Sequence, residues 1–299
     1  MITKNASSFR TLAAAAVLGW SVLLVAAPAL AQEAFKSPED AAAAFVHAVA
    51  TSDDGALRSI LGAHWQRFVP IEDIDRDDVN AFLAARHKSE KIIRDSDDRA
   101  HLAVGPNDWT LPIPIVKRGG AWRFDTNAGA EEIRTRRIGR DELATMQAML
   151  AYYDAQKEYA LADRNGDGIL EYAQKLLSSP GKKDGLYWDA PAGEEESPLG
   201  PLFGNDKPGT DYHGYYYKIL KGQGKHARDG AYDYRINGRM TAGFALVAWP
   251  VTYDDTGVMT FVINQEGQIY EKNFGPGTDA VARKMTLFNP DASWRKVSP

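Results

Sequence analysis

The chain contains no cysteine, and that one absence excludes several chemistries. No disulfide can staple the fold, no thiolate can act as a nucleophile, no lipid can be carried on a cysteine, and no thiolate can bind zinc. Histidine is scarce: the six are His47, His64, His87, His101, His213 and His226. None forms H-E-x-x-H or another metal-spaced pair, so zinc is not expected from histidine either. G-x-S-x-G, a phosphate loop and a dinucleotide fingerprint are also missing. There is no excess of positive charge. Against 40 Asp and Glu stand 35 Lys and Arg, a net of −5, which argues against nucleic acid and anionic membranes as partners.

Only the N-terminus carries a long apolar run. "MITKNASSFR" has Lys4 and Arg10 and no acid, "TLAAAAVLGWSVLLVAAPAL" follows, and Ala29, Leu30 and Ala31 form a small-residue cleavage box. Residues 1–31 read as a signal peptide cut before Gln32, which predicts a periplasmic or secreted protein with no membrane span after cleavage. The alternative is an uncleaved anchor, since the run is near the ~20 residues a span needs. Removing two basic residues and no acid leaves 33 − 40 = −7 on residues 32–299.

The rest predicts an α+β fold. In "FKSPED", Ser37 is a candidate N-cap, Pro38 suits the first helical position, and Glu39 and Asp40 favour the positive helix end. Asp53 or Asp54 begins a second helix to Leu61, and Asp75 caps a third carrying Val79, Phe82 and Leu83. "RAHLAVG" and "DWTLPIPIVKRGGAWRFDT" alternate as strands, with "RGG" at 118–120 as a hairpin turn and Pro112 and Pro114 placing their strand at an edge. Residues 32–135 thus read as helices on a curved antiparallel sheet. In 136–299, "GRDELATMQAMLAYYDAQKEYALAD" predicts a long helix from near Arg140, with Leu143, Met146, Leu150 and Tyr153 as its stripe. It leads through a Gly/Pro-rich loop, 178–211, to a C-terminal antiparallel sheet. Leu186, Tyr187, Trp188, Leu199, Leu202 and Phe203 predict that this loop packs down. "AGFALVAW", apolar on both faces, reads as the central strand. "TDAVARKMTLF" reads as a terminal helix capped by Thr278.

"DGLYW", "SPLGPL", "YHGYYYKIL", "GFALVAWPVTY", "GVMTFVINQEGQIYEKNFG" and "NPDASW" resemble the bacterial domain-of-unknown-function family 2950. The resemblance runs from "FKSPEDA" to the C-terminus. It implies a secreted bacterial protein of an uncharacterised family and brings no catalytic residue with it. The long helix leading into "Y..GYYY", "A.P..Y..TG...F.V" and "G.IY" also resembles type IV pilin-like and pseudopilin headgroups. The departure from that pattern is that the helix lies behind another domain rather than at the N-terminus.

Three constellations carry candidate chemistry. In "DRNGDGILEY", Asp163, Asn165 and Asp167 match positions 1, 3 and 5 of a calcium loop and Gly168 matches the turn glycine. Position 12 is Gln174, so Glu171 at position 9 would have to close a shortened loop. The stretch reads either as a structural Ca²⁺ site of Asp163, Asn165, Asp167 and Glu171 or as an acidic turn ending the helix. His213, read as lying on a strand beside Asp211 and Tyr215 to Tyr217, is a candidate acid–base group or a structural histidine. Tyr187, Trp188, Tyr212, Tyr215, Tyr216, Tyr217, Tyr232 and Tyr234 are either a binding platform or sheet core. The leading functional expectation is a non-enzymatic envelope protein that binds another envelope protein. The alternatives are an envelope hydrolase centred on His213 and Asp211, and a small-ligand pocket beneath Trp109 and Trp122 in the N-terminal half.

Overall fold

The computed structural model describes residues 32–67, 75–191, 193–200 and 212–299. The expected signal segment 1–31, Leu202, Phe203 and Asp211 lie outside the described residues. Among those described, no helix is long and apolar enough to cross a membrane.

The chain is an α+β protein. It opens with α1 (Pro38–Thr51), α2 (Asp54–Leu61) and α3 (Arg76–Lys88). Each has a side-chain cap. Ser37 Oγ accepts from Asp40 N, Asp53 accepts from Ala56 N, and Asp75 with Asp78 forms a reciprocal capping box. Strands β1 (Glu90–Ser96), β2 (Arg99–Val104), β3 (Trp109–Thr110), β4 (Ile115–Arg118) and β5 (Ala121–Phe124) form an antiparallel sheet of order β1-β2-β4-β5, with β3 beside β2. The strand expected through the two prolines is broken: 111–114 is irregular, because neither proline has an N–H to give a ladder. Phe45, Leu102, Ile115, Trp122 and Phe124 anchor the core between the helices and this sheet.

Helix α4 (Thr126–Tyr159) is 34 residues long, about 51 Å at 1.5 Å per residue. It starts well before the expected Arg140. The sequence between 126 and 139 hid it, because charges and two glycines break the apolar period. Gly129 is needed there: a Cβ would lie 2.8 Å from Ile113 Cγ1. The face that packs is also shifted. Thr145, Ala148, Met149, Tyr152, Ala155, Gln156 and Tyr159 are buried, whereas Leu143 is exposed and Met146, Leu150 and Tyr153 are half-buried. Small and hydrogen-bonding side chains let the helix lie close on the sheet, which a count of apolar residues does not register.

After the loop come β6 (Tyr215–Leu220), β7 (Gly222–Gln223), β8 (Tyr232–Asp233), β9 (Arg235–Ile236), β10 (Arg239–Met240), β11 (Ala245–Pro250), β12 (Thr260–Asn264), β13 (Ile269–Lys272), α5 (Thr278–Lys284), β14 (Leu287–Phe288) and β15 (Arg295–Val297). The main sheet is antiparallel in the order β15-β13-β12-β11-β6; β14-β7-β8 and the β9-β10 hairpin stand apart. Every residue of β11 is buried, because helices cover both faces. Tyr217, facing one way from β6, reaches Thr145 of α4, while Trp249 of β11 donates to Asp279 of α5 at 3.0 Å on the other. Thr278 does not cap α5. Its hydroxyl donates to Gly275 O at 2.7 Å, and the N-cap is Gly277. The described part of the Gly/Pro-rich loop packs down through the buried Leu186, Trp188 and Leu199. Of the tyrosine cluster, Tyr215 and Tyr234 are core, and Tyr187, Tyr216, Tyr217 and Tyr232 pack partly buried against it.

Candidate functional site

His213 is not on a strand. Tyr212 N donates to Tyr215 O at 3.0 Å and Tyr215 N returns to Tyr212 O at 3.2 Å, so His213 and Gly214 are the two central residues of a tight hairpin turn. Their φ values, +53° and +70°, are those of a type I′ turn. The turn carries the His213 ring out to solvent, edge-on to Tyr212 at 4.1 Å between centroids. Gly214 is fixed twice over, by its φ and by space: a Cβ would lie 2.8 Å from Thr256 Cβ and 3.4 Å from Asp141 Oδ2.

The carboxylate that the structure places near His213 is therefore Asp141, on α4. Burial pushes the Asp141 carboxyl up, against the lowering pull of Arg140, Arg137 and His213. Sequence reading missed this residue because it lies 72 positions away and only the approach of α4 to the turn brings it in. The same stretch of α4 holds the 252–259 turn. Arg134 donates to Asp254 Oδ2 at 3.0 Å, Arg137 pairs with Asp255, and Glu142 Oε1 accepts from Val258 N and Met259 N, both at 2.9 Å. Beside the hairpin turn runs a shallow groove of about 270 Å³. It is lined by Ala144, Gln147, Ala148 and Ala151 of α4, by Tyr212 and His213, and by Gly200.

The candidate calcium loop is also assembled. Asp163 accepts backbone N–H groups from Asn165, Gly166, Asp167 and Gly168, the last at 2.7 Å, which lowers its carboxyl. Asn165 Nδ2 donates to Glu171 Oε1 at 2.8 Å. The loop is tied outward in two directions. Arg239 of β10 donates to Asp167 Oδ2 at 2.8 Å, and Arg164 lies against the rings of Tyr159 and Trp188 and pairs with Glu195. At its base the Gln156 amide donates to Ala173 O and accepts from Ala173 N, both at 2.8 Å. Within the loop Glu171 Oε2 is buried with no geometric hydrogen-bond partner, as are Thr260 Oγ1 and Gln265 Oε1 elsewhere among the described residues; burial pushes the Glu171 carboxyl up against the lowering pull of the Met240 backbone. Among the described residues no three His, Cys, Asp or Glu side chains are grouped to hold a metal ion. A cation here would rely on Asn165 and backbone carbonyls as well as carboxylates, and would have to compete with Arg239 for Asp167.

Residues 32–297 match the family model described as "Protein of unknown function (DUF2950)". The chain belongs to the DUF2950 family. No curated protein and no solved structure matches it. The match to DUF2950 spans both cores and all the constellations above, and assigns a role to none of their residues. In this DUF2950 member the two tryptophans of the expected N-terminal ligand pocket sit in different environments. Trp122 is packed into the N-terminal core under Arg94 and Lys117, whereas Trp109 is 49 % exposed, edge-on to Phe82 with Arg136 against its face.

Proposed function

We propose that the protein is a secreted or periplasmic, non-enzymatic envelope module, and that the groove beside His213 is where it binds another envelope protein. The groove carries this reading. It brings three alanines and Gln147 of α4 together with the rings of Tyr212 and His213, a surface that gives contact area at low entropic cost. The helix-on-sheet half, read as pilin-like from its motifs, serves as the rigid platform, and the 163–171 loop takes Ca²⁺ as a structural cation. The test is capture from envelope extract with the wild-type protein and with Ala151→Arg and His213→Ala, both at exposed positions. One partner, retained by wild type, lost by both variants and then rebinding in purified form, supports the reading; undiminished capture by the variants refutes the groove. N-terminal sequencing of envelope material should begin at Gln32, and an intact Met1 refutes export with cleavage.

The proximity of Asp141 to His213 favours a second reading, a hydrolase-like site with Asp141 orienting His213 in the place first given to Asp211. Against it, the nearby hydroxyls are engaged: Thr256 Oγ1 bonds within its own turn and Thr145 Oγ1 meets Tyr217. Hydrolysis of envelope polymers that is lost in His213→Ala would favour this reading over the first.

A further inference from the structure

Strand β1 ends the N-terminal sheet, and among the described residues nothing pairs with its outer edge. Gly105 N donates to Ser89 O at 2.9 Å, and the register runs from Glu90 opposite Val104 to Arg94 opposite Ala100. Backbone groups alternate along an antiparallel strand. Those of Lys91 and Ile93 therefore face β2, and those of Glu90, Ile92 and Arg94 face away from it. Among the described residues none of these outward N–H or C=O groups bonds to another part of the chain. Helix α1 packs on β2, β4 and β5 rather than along this edge. A cleft of about 320 Å³ lies beside it, lined by Glu39, Ala42, Glu90, Lys91 and Ile92. A bulge between Arg94 and Ser96 ends the regular stretch, so the open edge is Glu90 to Arg94.

We propose that the protein self-associates through this edge, a second copy adding its own β1 antiparallel about a two-fold axis at Ile92. In that register Ile92 faces Ile92 of the partner subunit, and Glu90 faces Arg94 of the partner subunit on either side. All three outward residues then form hydrogen-bonded pairs, each exchanging two backbone bonds. Opposite charges directly across strands stabilise the pairing and like charges oppose it. A shift of two residues destroys the match, setting Ile92 against a charged residue. Edges that are kept from pairing carry proline, bulges or charges that repel a copy; the sequence Glu-Lys-Ile-Ile-Arg instead complements itself under two-fold symmetry. This self-complementarity is what selects a second copy over an unrelated extended strand. The present partners, Arg86 for Glu90 at 2.7 Å and Glu39 for Arg94 at 2.9 Å, are exposed ion pairs that exchange at little cost.

The test is sedimentation equilibrium of the purified protein up to millimolar concentration, with hydrogen exchange at 90–94 followed against concentration. The expected result is a weak dimer, as suits a small interface, with slowed exchange at Glu90, Ile92 and Arg94. Glu90→Arg and Arg94→Glu alone should each weaken it by about tenfold or more, since the two-fold doubles each clash. The double swap, Glu90→Arg with Arg94→Glu, should restore it, which a variant that merely misfolds would not. A monomer at every concentration overturns the proposal and leaves the edge to a strand of another protein. A dimer without protection at 90–94, or without rescue by the swap, overturns it as well.

Discussion

Gln156→Leu is expected to cost about 2–4 kcal/mol of stability. Gln156 is fully buried on α4, and its amide acts as a one-residue strand, giving to Ala173 O and taking from Ala173 N at 2.8 Å. Leucine keeps the volume and removes both bonds. The Ala173 N–H and C=O then stay buried without partners, at ~1–3 kcal/mol each, or about 2–6 together. The added apolar burial offsets about 1–2 kcal/mol of that, so the central values, about 4 and about 1.5 kcal/mol, leave a net cost of roughly 2.5 kcal/mol. Tyr152 loses a donor but keeps its own bond to Ala245 O at 3.2 Å, so it adds little. For a chain of this size the melting temperature should fall by about 5–15 °C. Urea titration gives the free energy, and hydrogen exchange at Ala173 gives the place. A loss below about 1 kcal/mol, or an Ala173 amide as protected as before, refutes the reasoning.

Calcium at millimolar concentration, with a Kd near ~10⁻⁵ M, should add about 2.7 kcal/mol and raise the melting temperature by ~5 °C. Mg²⁺ should do much less, Asp167→Ala should abolish the effect, and Arg239→Gln, which frees Asp167, should enlarge it; identical melts in EDTA, Ca²⁺ and Mg²⁺ reduce the loop to a turn. Asp184, against the opposing pull of partial burial, is held down to about 2 by hydrogen bonds from Lys175 and Ser179. Its folded value lies below its unfolded one, so its contribution is present above about pH 4 and is lost as pH falls through about 2. Asp184→Asn should lower the melting temperature at neutral pH and flatten the acid limb of a pH–stability profile; an unchanged limb counts against the assignment. Gly257→Ala should be severely destabilising, since a Cβ there collides with the Tyr215 ring and hydroxyl. Tyr215→Leu in the same chain should recover part of the loss, and no recovery in thermal melts would locate the clash elsewhere.

Elements fixed by local chemistry were legible in the sequence. The caps at Ser37 and Asp75, a second helix starting at Asp53 or Asp54, and the central, two-sided burial of β11 follow from short-range patterns; the structure puts the second cap at Asp53. The first turns of α4 were not legible, because they are held by contacts to Ile113 and to the 254–255 turn rather than by their own periodicity. The packing face of α4 was misjudged for a related reason: the stripe was drawn through Leu143, Met146, Leu150 and Tyr153, whereas Thr145 and Gln156 are buried with hydrogen-bond partners that spacing does not reveal. The calcium-like loop was legible as a spacing, but its anchoring by Arg164 and Arg239 was not. At the groove, His213 was visible in the sequence. Its turn geometry and the nearness of Asp141 come from chain segments that meet only in three dimensions.

Helix α4 has a consequence for dissecting the molecule. Its first turns pack against the N-terminal core through Gly129 and Ile133, and its last turns carry Met149, Tyr152 and Tyr159 into the C-terminal core. One continuous rod thus belongs to both halves. A cut near residue 135 falls within the helix, exposing unpaired backbone groups on each new end and parting Arg134 from the 252–259 turn. Helical order at one end supports order at the other, because propagation along a helix is cooperative. The two cores should therefore melt in a single transition, and neither fragment should reproduce its share of it.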